Sequence, residues 1–256
     1  MSERPPKRIG NLKLHVRHTA DGALTLFAQD LTRTLRELRD QKRDVLFLSS
    51  GGSSIGVLDR IEPDVITPSL TIGIFDERYD PTNKSSNYAQ LRKTEFYRKA
   101  VIHGCRLIDT TTHPKQTKEA LASFYEDELH DWRRRHPDGI IFATMGVAAD
   151  GHTAGIMPFP EDHARFQELF EGERWIVSYD AGDKNEFPLR VTTTFTFLRL
   201  VDMVGIFLVG PAKGPIFRTV LSGDDLASCP GRIIKELKRG SMYVDEAMLL
   251  AANFIV

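Results

Sequence analysis

The chain has 256 residues, of which 41% are hydrophobic and 27% are charged, so it contains enough apolar sequence for one sizeable core. Its 34 lysines and arginines nearly balance its 35 aspartates and glutamates, which excludes an overall field that would attract nucleic acid or an anionic membrane. Two cysteines are too few for a disulfide framework or a four-cysteine zinc site, and this favours a reduced, cytoplasmic protein.

Short β-rich runs alternate with longer amphipathic ones along the chain. The β-rich runs span residues 44–49, 70–76, 139–144, 175–179, 189–194, 203–209 and 241–244. Several of them are apolar without alternation, as expected for strands covered on both faces. Residues 23–39 and 117–135 carry apolar side chains at helical spacing. This order predicts one α/β domain over residues 1–256, with a doubly wound, mostly parallel, Rossmann-like sheet and helices on both faces.

A glycine-rich turn follows the first strong strand. Its glycines allow backbone N–H groups to approach an anion, and the helix start that follows adds partial positive charge. The turn lacks the Gly-Lys pair of a Walker loop and the third glycine of a dinucleotide fingerprint, which disfavours nucleotide binding. We predict that this turn binds phosphate, although an ordinary strand-to-helix turn is the alternative. The residues concerned are Ser50, Gly51, Gly52 and Ser53.

An acidic and basic loop follows the next strand. Arg78 could clamp an oxyanion bidentately, while Asp76 and Glu77 hold it or receive sugar hydroxyls. A surface ion-pair cluster is the alternative. Asn87 follows two serines that are typical of a helix cap, and it is expected in the same loop region.

The helix predicted over residues 117–135 carries an aromatic stripe. We interpret the stripe as core packing, since helical spacing alone accounts for it. The helix ends in the basic run 133–136, where cations meet the negative end of the helix dipole, so a solvated cap is favoured over a nucleic-acid patch. The stripe consists of Phe124, Tyr125, Leu129 and Trp132.

The apolar run 139–144 breaks into small residues and then presents Asp150, Gly151 and His152. Ligands of open α/β sheets bind beyond the carboxyl ends of strands, so these side chains are placed for chemistry. A histidine accepts protons near neutral pH, and the aspartate could orient its ring or stabilise its charge. A simple Asp-Gly turn is the alternative.

Two later cations are candidate ligand contacts. Arg190 stands within the run 189–194, and Lys213 follows the strand predicted over residues 203–209. Because a helix start is an unfavourable place for a cation, Lys213 is expected to meet an anionic ligand there.

Taken in order, these segments resemble the superfamily of 6-phosphogluconolactonases and glucosamine-6-phosphate deaminases. The matching segments are Ser50-Gly51-Gly52-Ser53, Asp76-Glu77-Arg78, Ser86-Asn87-Tyr88, Asp150-Gly151-His152-Thr153-Ala154, Arg190 with Thr192, and Lys213. The resemblance covers residues 20–250. It implies a small-molecule sugar phosphate as substrate and no metal, no cofactor, no nucleic acid and no membrane partner. A monomer or a small homo-oligomer is expected.

The choice within the superfamily depends on the residue five positions after His152. The deaminases carry a Glu there, whereas this chain has Met157, so the run 152–158 looks like the lactonase sequence. Arg78 also follows the lactonase pattern. Three departures distinguish the chain: Ala148 replaces a usual Gly, Gly155 a usual Ser, and Gly231 a usual Ala.

The resemblance implies hydrolysis of 6-phospho-D-glucono-1,5-lactone. His152 would activate water, Asp150 would stabilise the imidazolium, and Arg78 would meet the developing oxyanion. The phosphate would be held by the glycine turn, with Arg190 and Lys213. A deaminase or isomerase that uses Asp76 as a base, and a phosphosugar-binding protein without catalysis, remain the alternatives.

Overall fold

The computed structural model describes residues 6–254, and none of the helices in this range is both long enough and apolar enough to cross a membrane. The strands are β1 (Lys7–Ile9), β2 (Leu12–Arg17), β3 (Val45–Ser49), β4 (Leu70–Ile74), β5 (Asp76–Arg78), β6 (Arg106–Leu107), β7 (Ile140–Met145), β8 (Ile176–Asp180), β9 (Leu189–Thr193), β10 (Met203–Phe207) and β11 (Gly240–Asp245). The α-helices are α1 (Ala20–Asp40), α2 (Asn87–Leu91), α3 (Glu95–Ile102), α4 (Lys118–Arg135), α5 (His163–Phe170), α6 (Phe195–Leu198), α7 (Gly214–Leu221) and α8 (Glu246–Ala251). Short 3₁₀ helices cover Gly52–Arg60, Pro63–Val65, Gly182–Lys184, Pro211–Lys213 and Pro230–Lys235.

Eight strands form the main sheet in the order β1-β2-β11-β10-β7-β3-β4-β6. Every neighbouring pair is parallel except β1 and β2, which form an antiparallel hairpin at one edge. The predicted mostly parallel sheet is therefore confirmed. Because β3, β4, β7 and β10 run in the same direction, the segments that follow them emerge at one edge of the sheet.

Helices cover both faces of the main sheet, as predicted. The side chains of β3 alternate between two apolar clusters: Val45 and Phe47 belong to the one that contains α1 and α3. Leu46 and Leu48 belong to the other, which contains α4, α7 and α8. All four are buried, which explains why this strand reads as a continuous apolar run.

The prediction that residues 175–179 and 189–194 join the parallel sheet is wrong. They form β8 and β9, which pair antiparallel in a separate three-stranded sheet with the order β5-β9-β8. The connection over residues 181–188 is too short for the crossover that parallel neighbours require, so the two strands form a hairpin. This small sheet carries β5 and β9 to the same edge as the ends of the main strands.

The two predicted helices are present, with small differences at their ends. Thr19 caps α1 by accepting from the backbone N–H of Gly22, and Thr117 caps α4 in the same way. In α4 the stripe packs into the core, except that the Phe124 side chain is 41% exposed. The interpretation of Phe124 as a core residue is therefore wrong.

The β1–β2 hairpin is a feature that the sequence analysis did not predict. Its strands are short and mostly exposed on one face, so they lack the apolar run by which the inner strands were recognised. The available signal was the two-residue turn of Gly10 and Asn11, in which Gly10 has a φ of +59°.

Candidate active site

A cavity of about 370 Å³ lies beyond the carboxyl ends of β3, β4, β7 and β10. Segments that are far apart in sequence meet there, as expected for an open α/β sheet. Nine of the predicted site residues line it: Ser50, Gly51, Gly52, Asp76, Arg78, Asn87, His152, Arg190 and Lys213.

The imidazole of His152 is held by Asp150. Its Nδ1 lies 2.7 Å from Oδ1 and 2.9 Å from Oδ2 of the carboxylate, and its backbone N–H donates to the same Oδ1 over 3.1 Å. An ionised carboxylate only accepts hydrogen bonds, so Nδ1 carries the proton and Nε2 is left as an acceptor. Burial is the largest single influence on Asp150 and opposes its ionisation. The hydrogen bonds to the carboxylate and its charge interaction with His152 together outweigh burial, so the pKa of the carboxyl lies below its ordinary value.

The turn that carries this pair is fixed by its own backbone. The Thr153 hydroxyl donates to the Gly146 carbonyl over 2.7 Å, and the Gly151 N–H donates to the Ala148 carbonyl over 3.0 Å. Gly151 has a φ of +90°, a conformation that favours glycine. It is buried and does not line the cavity, so we revise its expected substrate contact to a part in shaping the turn.

A second segment, residues 229–231, packs against this turn. The Gly231 N–H donates to the Gly151 carbonyl over 2.8 Å, and a Cβ at Gly151 would lie 3.0 Å from Cys229 Sγ. A Cβ at Gly231 would lie only 2.6 Å from Cγ1 of Val147, so the family's usual alanine does not fit beside this valine. The departure at position 231 therefore matches the local packing.

The other two departures have different consequences. Ala148 lies outside the left-handed region of φ, so a glycine is not needed there. Gly155 has a φ of +73°, and a Cβ on it would approach Cβ of Asp76 to 2.6 Å. The family's usual serine would therefore be strained at this position of the chain.

Lys213 reaches the same end of β7 from the other side. It lies at the start of α7, and its Nζ donates to the Val147 carbonyl over 2.7 Å. Burial lowers the pKa of Lys213, while the negative charge of Asp150 acts in the opposite direction. An ammonium group has three donors, so two remain for an anionic ligand after the carbonyl bond.

The glycine turn begins a 3₁₀ helix at Gly52 with no side-chain cap. Uncapped N–H groups at such a start suit an anion. Gly51 lies so close to Asn87 that a Cβ would approach Oδ1 of the amide to 2.5 Å. Ser50 Oγ lies 2.8 Å from Ser54 Oγ, whereas the side chain of Ser53 lies outside the described part of the structure.

Asp76 and Arg190 form a buried ion pair across β5 and β9. Nη1 of the arginine donates to Oδ2 over 3.2 Å, and both side chains are less than 10% exposed. Arg190 also donates from Nε to the Phe187 carbonyl over 2.8 Å and from Nη2 to Oδ1 of Asn185 over 2.7 Å. Asn87 donates from Nδ2 to the Asp76 carbonyl over 2.9 Å. These contacts make Asp76 and Arg190 positioning groups for the cavity wall.

Arg78 has a different environment. Its guanidinium lies 4.5 Å from the ring centroid of Phe187, and within residues 6–254 it has no carboxylate partner at ion-pair distance. Its Nε is buried without a hydrogen-bond partner. Burial and the nearby positive charge of Arg190 lower the pKa of Arg78. A cation in this environment is well placed to bind an anion.

Glu77 does not line the cavity, and the expectation that it contacts substrate is revised. Its buried carboxylate accepts from the backbone N–H groups of Arg78, Asn87 and Tyr88, over 2.6 to 3.0 Å. The Ser86 hydroxyl donates to the same group over 2.9 Å. Burial raises the pKa of Glu77 to about 7, although these hydrogen bonds favour its ionised form. Glu77 thus joins β5 to the start of α2.

The loop before β9 contributes three lining residues that the sequence analysis missed: Asn185, Glu186 and Phe187. Their signal was weak, because it depended on recognising β8 and β9 as a hairpin. Among the described residues, no group of three or more His, Cys, Asp or Glu side chains is arranged to hold a metal ion.

A model of one protein family, described as glucosamine-6-phosphate isomerases/6-phosphogluconolactonase, matches residues 18–244. No curated protein sequence matches the chain significantly.

Solved structures resemble the chain over nearly its whole length. A 6-phosphogluconolactonase from Shewanella baltica OS155 shares 18% identity with a TM-score of 0.71, covering 91% of this chain and 96% of that one. The enzyme of the same name from Trypanosoma brucei shares 15% identity with a TM-score of 0.74, covering 97% and 99%. The one from Thermotoga maritima shares 19% identity with a TM-score of 0.70, covering 92% and 100%. At these identities the similarity shows a common fold.

Proposed function

Because the chain belongs to the family of glucosamine-6-phosphate isomerases and 6-phosphogluconolactonases, we propose that it hydrolyses 6-phospho-D-glucono-1,5-lactone to 6-phosphogluconate. One observation carries this proposal. His152 lines the cavity with Nδ1 held by Asp150 and Nε2 available, in a site that also contains the cations Arg78 and Lys213. A base, an oxyanion partner and a phosphate anchor are the three groups that lactone hydrolysis requires.

The first step is attack by water on the lactone carbonyl. Nε2 of His152 takes one proton from the water while the water oxygen bonds to C1. The π electrons of the carbonyl group move to the carbonyl oxygen, which becomes the oxyanion. Asp150 stabilises the imidazolium that forms, in the manner of the aspartate of a hydrolase triad. Arg78 is the group proposed to stabilise the oxyanion.

The second step breaks the ring ester. The oxyanion collapses, the bond from C1 to the ring oxygen breaks, and the imidazolium of His152 returns its proton to that oxygen. One lactone and one water thus give one hydroxy acid, and the histidine regains its starting form. Lys213 and the turn of Gly51, Gly52 and Ser53 hold the distant phosphate, so that its binding energy positions the carbonyl.

Position 157 supports hydrolysis over deamination. The deaminases carry a carboxylate five residues after the histidine, whereas this chain has Met157 there. Met157 is fully buried, and its backbone N–H donates to the Tyr179 hydroxyl over 3.1 Å. The deaminase alternative therefore lacks its acidic partner at this position.

The test is a coupled assay on freshly generated 6-phosphogluconolactone, corrected for spontaneous hydrolysis. We expect hydrolysis that saturates with substrate and no ammonia release from glucosamine 6-phosphate. Release of ammonia without lactone hydrolysis would favour the deaminase. Binding of both sugar phosphates without turnover of either would favour a protein that only binds them.

A further inference from the structure

A second and larger cavity, of about 910 Å³, lies against the main sheet at its β1–β2 edge. We call it the basic groove. It is bounded by α1, by the hairpin of β1 and β2, and by residues 238–239 before β11. Among the described residues, none lines both this groove and the catalytic cavity.

The floor of the groove is polar where a doubly wound sheet is usually apolar. Side chains alternate along β2. Leu12 and Leu14 belong to the apolar core, and the alternate residues Lys13 and His15 line the groove. The His15 ring stacks on that of Tyr243 with centroids 4.8 Å apart. Beside α1, this part of the sheet face therefore presents polar side chains to the groove.

Positive charge dominates the lining. Six arginines and lysines line the groove against two acidic residues, although the chain as a whole has 34 basic and 35 acidic residues. The uneven distribution concentrates positive potential in a concave surface, which raises the local concentration of anions.

Part of this charge is already compensated. Asp30 accepts from Arg33 over 2.6 Å and from the Tyr243 hydroxyl over 2.9 Å, and Lys238 pairs with Asp202 over 2.8 Å. Three other exposed cations of the lining have no carboxylate partner at ion-pair distance within residues 6–254.

Those cations are Arg8, Lys13 and Arg239, which come from three different segments. Arg8 and Lys13 stand directly opposite each other in the β1–β2 pair. Like charges in that position destabilise a sheet unless an anion lies between them. The arrangement of the three around one concave surface suits several anionic groups on a compact ligand.

We propose that the basic groove binds a small polyphosphate anion at a site separate from the catalytic cavity. A compact ligand is favoured over an extended macromolecule because the groove is bounded on three sides and its volume lies within the range typical of small-molecule sites, about 300–1,000 Å³. Several phosphate groups are favoured over one because the three cations come from separate segments.

The test uses inorganic tripolyphosphate, titrated into the full chain by calorimetry at low and high salt. We expect a binding event that weakens as salt rises. The double variant Lys13→Gln/Arg239→Gln should raise the Kd at least tenfold. Both side chains are exposed, and Lys13→Gln removes the repulsion from Arg8, so the melting temperature without ligand should be no lower than that of the wild type.

Two controls separate the groove from other sites. Arg78→Gln alters the catalytic cavity and should leave tripolyphosphate binding unchanged, so loss of binding in that variant would overturn the proposal. Arg92→Gln/Lys93→Gln also removes one arginine and one lysine, but from an exposed stretch outside the groove, and it should leave the Kd unchanged. Equal weakening by both double variants would indicate a general charge effect and overturn it.

A final comparison tests the size of the ligand. A single-stranded oligonucleotide or an acidic peptide that binds more tightly than tripolyphosphate, and loses affinity in Lys13→Gln/Arg239→Gln, would overturn the assignment to a small anion. All of these outcomes are independent of whether the catalytic cavity hydrolyses lactones.

Discussion

Arg78 and Arg190 stand directly opposite each other in the pairing of β5 with β9, yet their guanidinium groups have opposite surroundings. Arg190 is buried and donates to Asp76, Asn185 and the Phe187 carbonyl. Arg78 contacts the face of the Phe187 ring and pairs with no carboxylate within residues 6–254. One arginine thus stabilises the wall of the cavity, and the other is available to an anion inside it.

Replacing the available arginine should affect catalysis. In Arg78→Gln, we expect kcat/KM for the lactone to fall by about 10²–10³-fold, the loss typical of one oxyanion donor. Steady-state kinetics would measure it. Arg190→Gln should instead lower the melting temperature, because it leaves Asp76 buried and unpaired at a cost of about 3–5 kcal/mol. Normal kinetics in Arg78→Gln would contradict its proposed role.

Removing the proposed base, His152, should lower the rate of turnover and leave substrate binding intact. For His152→Ala, we expect kcat to fall by about 10²–10⁴-fold with little change in the affinity for 6-phosphogluconate. Product binding measured by calorimetry, beside the coupled assay, separates the two quantities. His163→Ala, at an exposed position outside the cavity, is the matched control. Unchanged turnover in His152→Ala would remove its assignment as the base.

Lys213, the proposed phosphate anchor, should influence KM more than kcat. Loss of a charge-assisted hydrogen bond costs about 1.5–3 kcal/mol, so Lys213→Ala should raise KM by roughly 10–100-fold. Lys93→Ala removes an exposed ammonium elsewhere and should leave KM unchanged. If kcat fell while KM stayed constant, Lys213 would act on the transition state and not on the phosphate.

Glu77 predicts how stability depends on pH. Burial raises its pKa to about 7 in the folded chain from an ordinary value of 4.5, so the folded state holds this proton more tightly than the unfolded state does. Stability from this group is therefore fully present below the unfolded pKa and is lost as pH rises to about 7. The loss amounts to about 3 kcal/mol, at about 1.4 kcal/mol for each pH unit.

Denaturant unfolding between pH 4.5 and 8 would measure this effect. Because other groups also titrate there, the quantity to compare is the difference in unfolding free energy between wild type and Glu77→Gln. We expect the free energy of unfolding of the wild type, minus that of Glu77→Gln, to fall as pH rises, since only the wild type loses a proton from this position. A difference that grows with pH would show that hydrogen bonds to the carboxylate outweigh its burial.

The glycine turn predicts a contrast between two glycines of one segment. In Gly51→Ala the new Cβ would meet the Asn87 amide, whose Oδ1 lies 2.5 Å away, and we expect about 1–3 kcal/mol of destabilisation together with a higher KM. Gly56→Ala adds a methyl group in open space and should change neither quantity. Melting curves and steady-state kinetics on both variants check this, and equal effects would contradict the close approach.

The residues of the site were easier to predict from sequence than their roles. Parallel strands bring their following loops to one edge, so the convergence of Gly51, Arg78, His152 and Lys213 followed from their positions after apolar runs. Which charged side chains form ion pairs depends on the distances between them in the folded chain. The chain order of Asp76 and Arg190 did not reveal that these two would neutralise each other.

The fold shows the same division. Strands buried on both faces, such as β3 and β7, give continuous apolar runs and were predicted correctly. The direction in which β8 and β9 pair is set by the length of the loop between them, and the sequence analysis did not use that length. The β1–β2 hairpin was missed because its strands are short and partly exposed, and they therefore carry little apolar signal.

The contact between Gly231 and Val147 links two positions that are distant in the chain. Restoring alanine at 231 alone would press a methyl group against the valine, whereas shortening the valine first would leave room for it. The order of replacement therefore decides whether an intermediate variant is tolerated. Any attempt to convert this chain stepwise into a more typical relative has to begin at Val147.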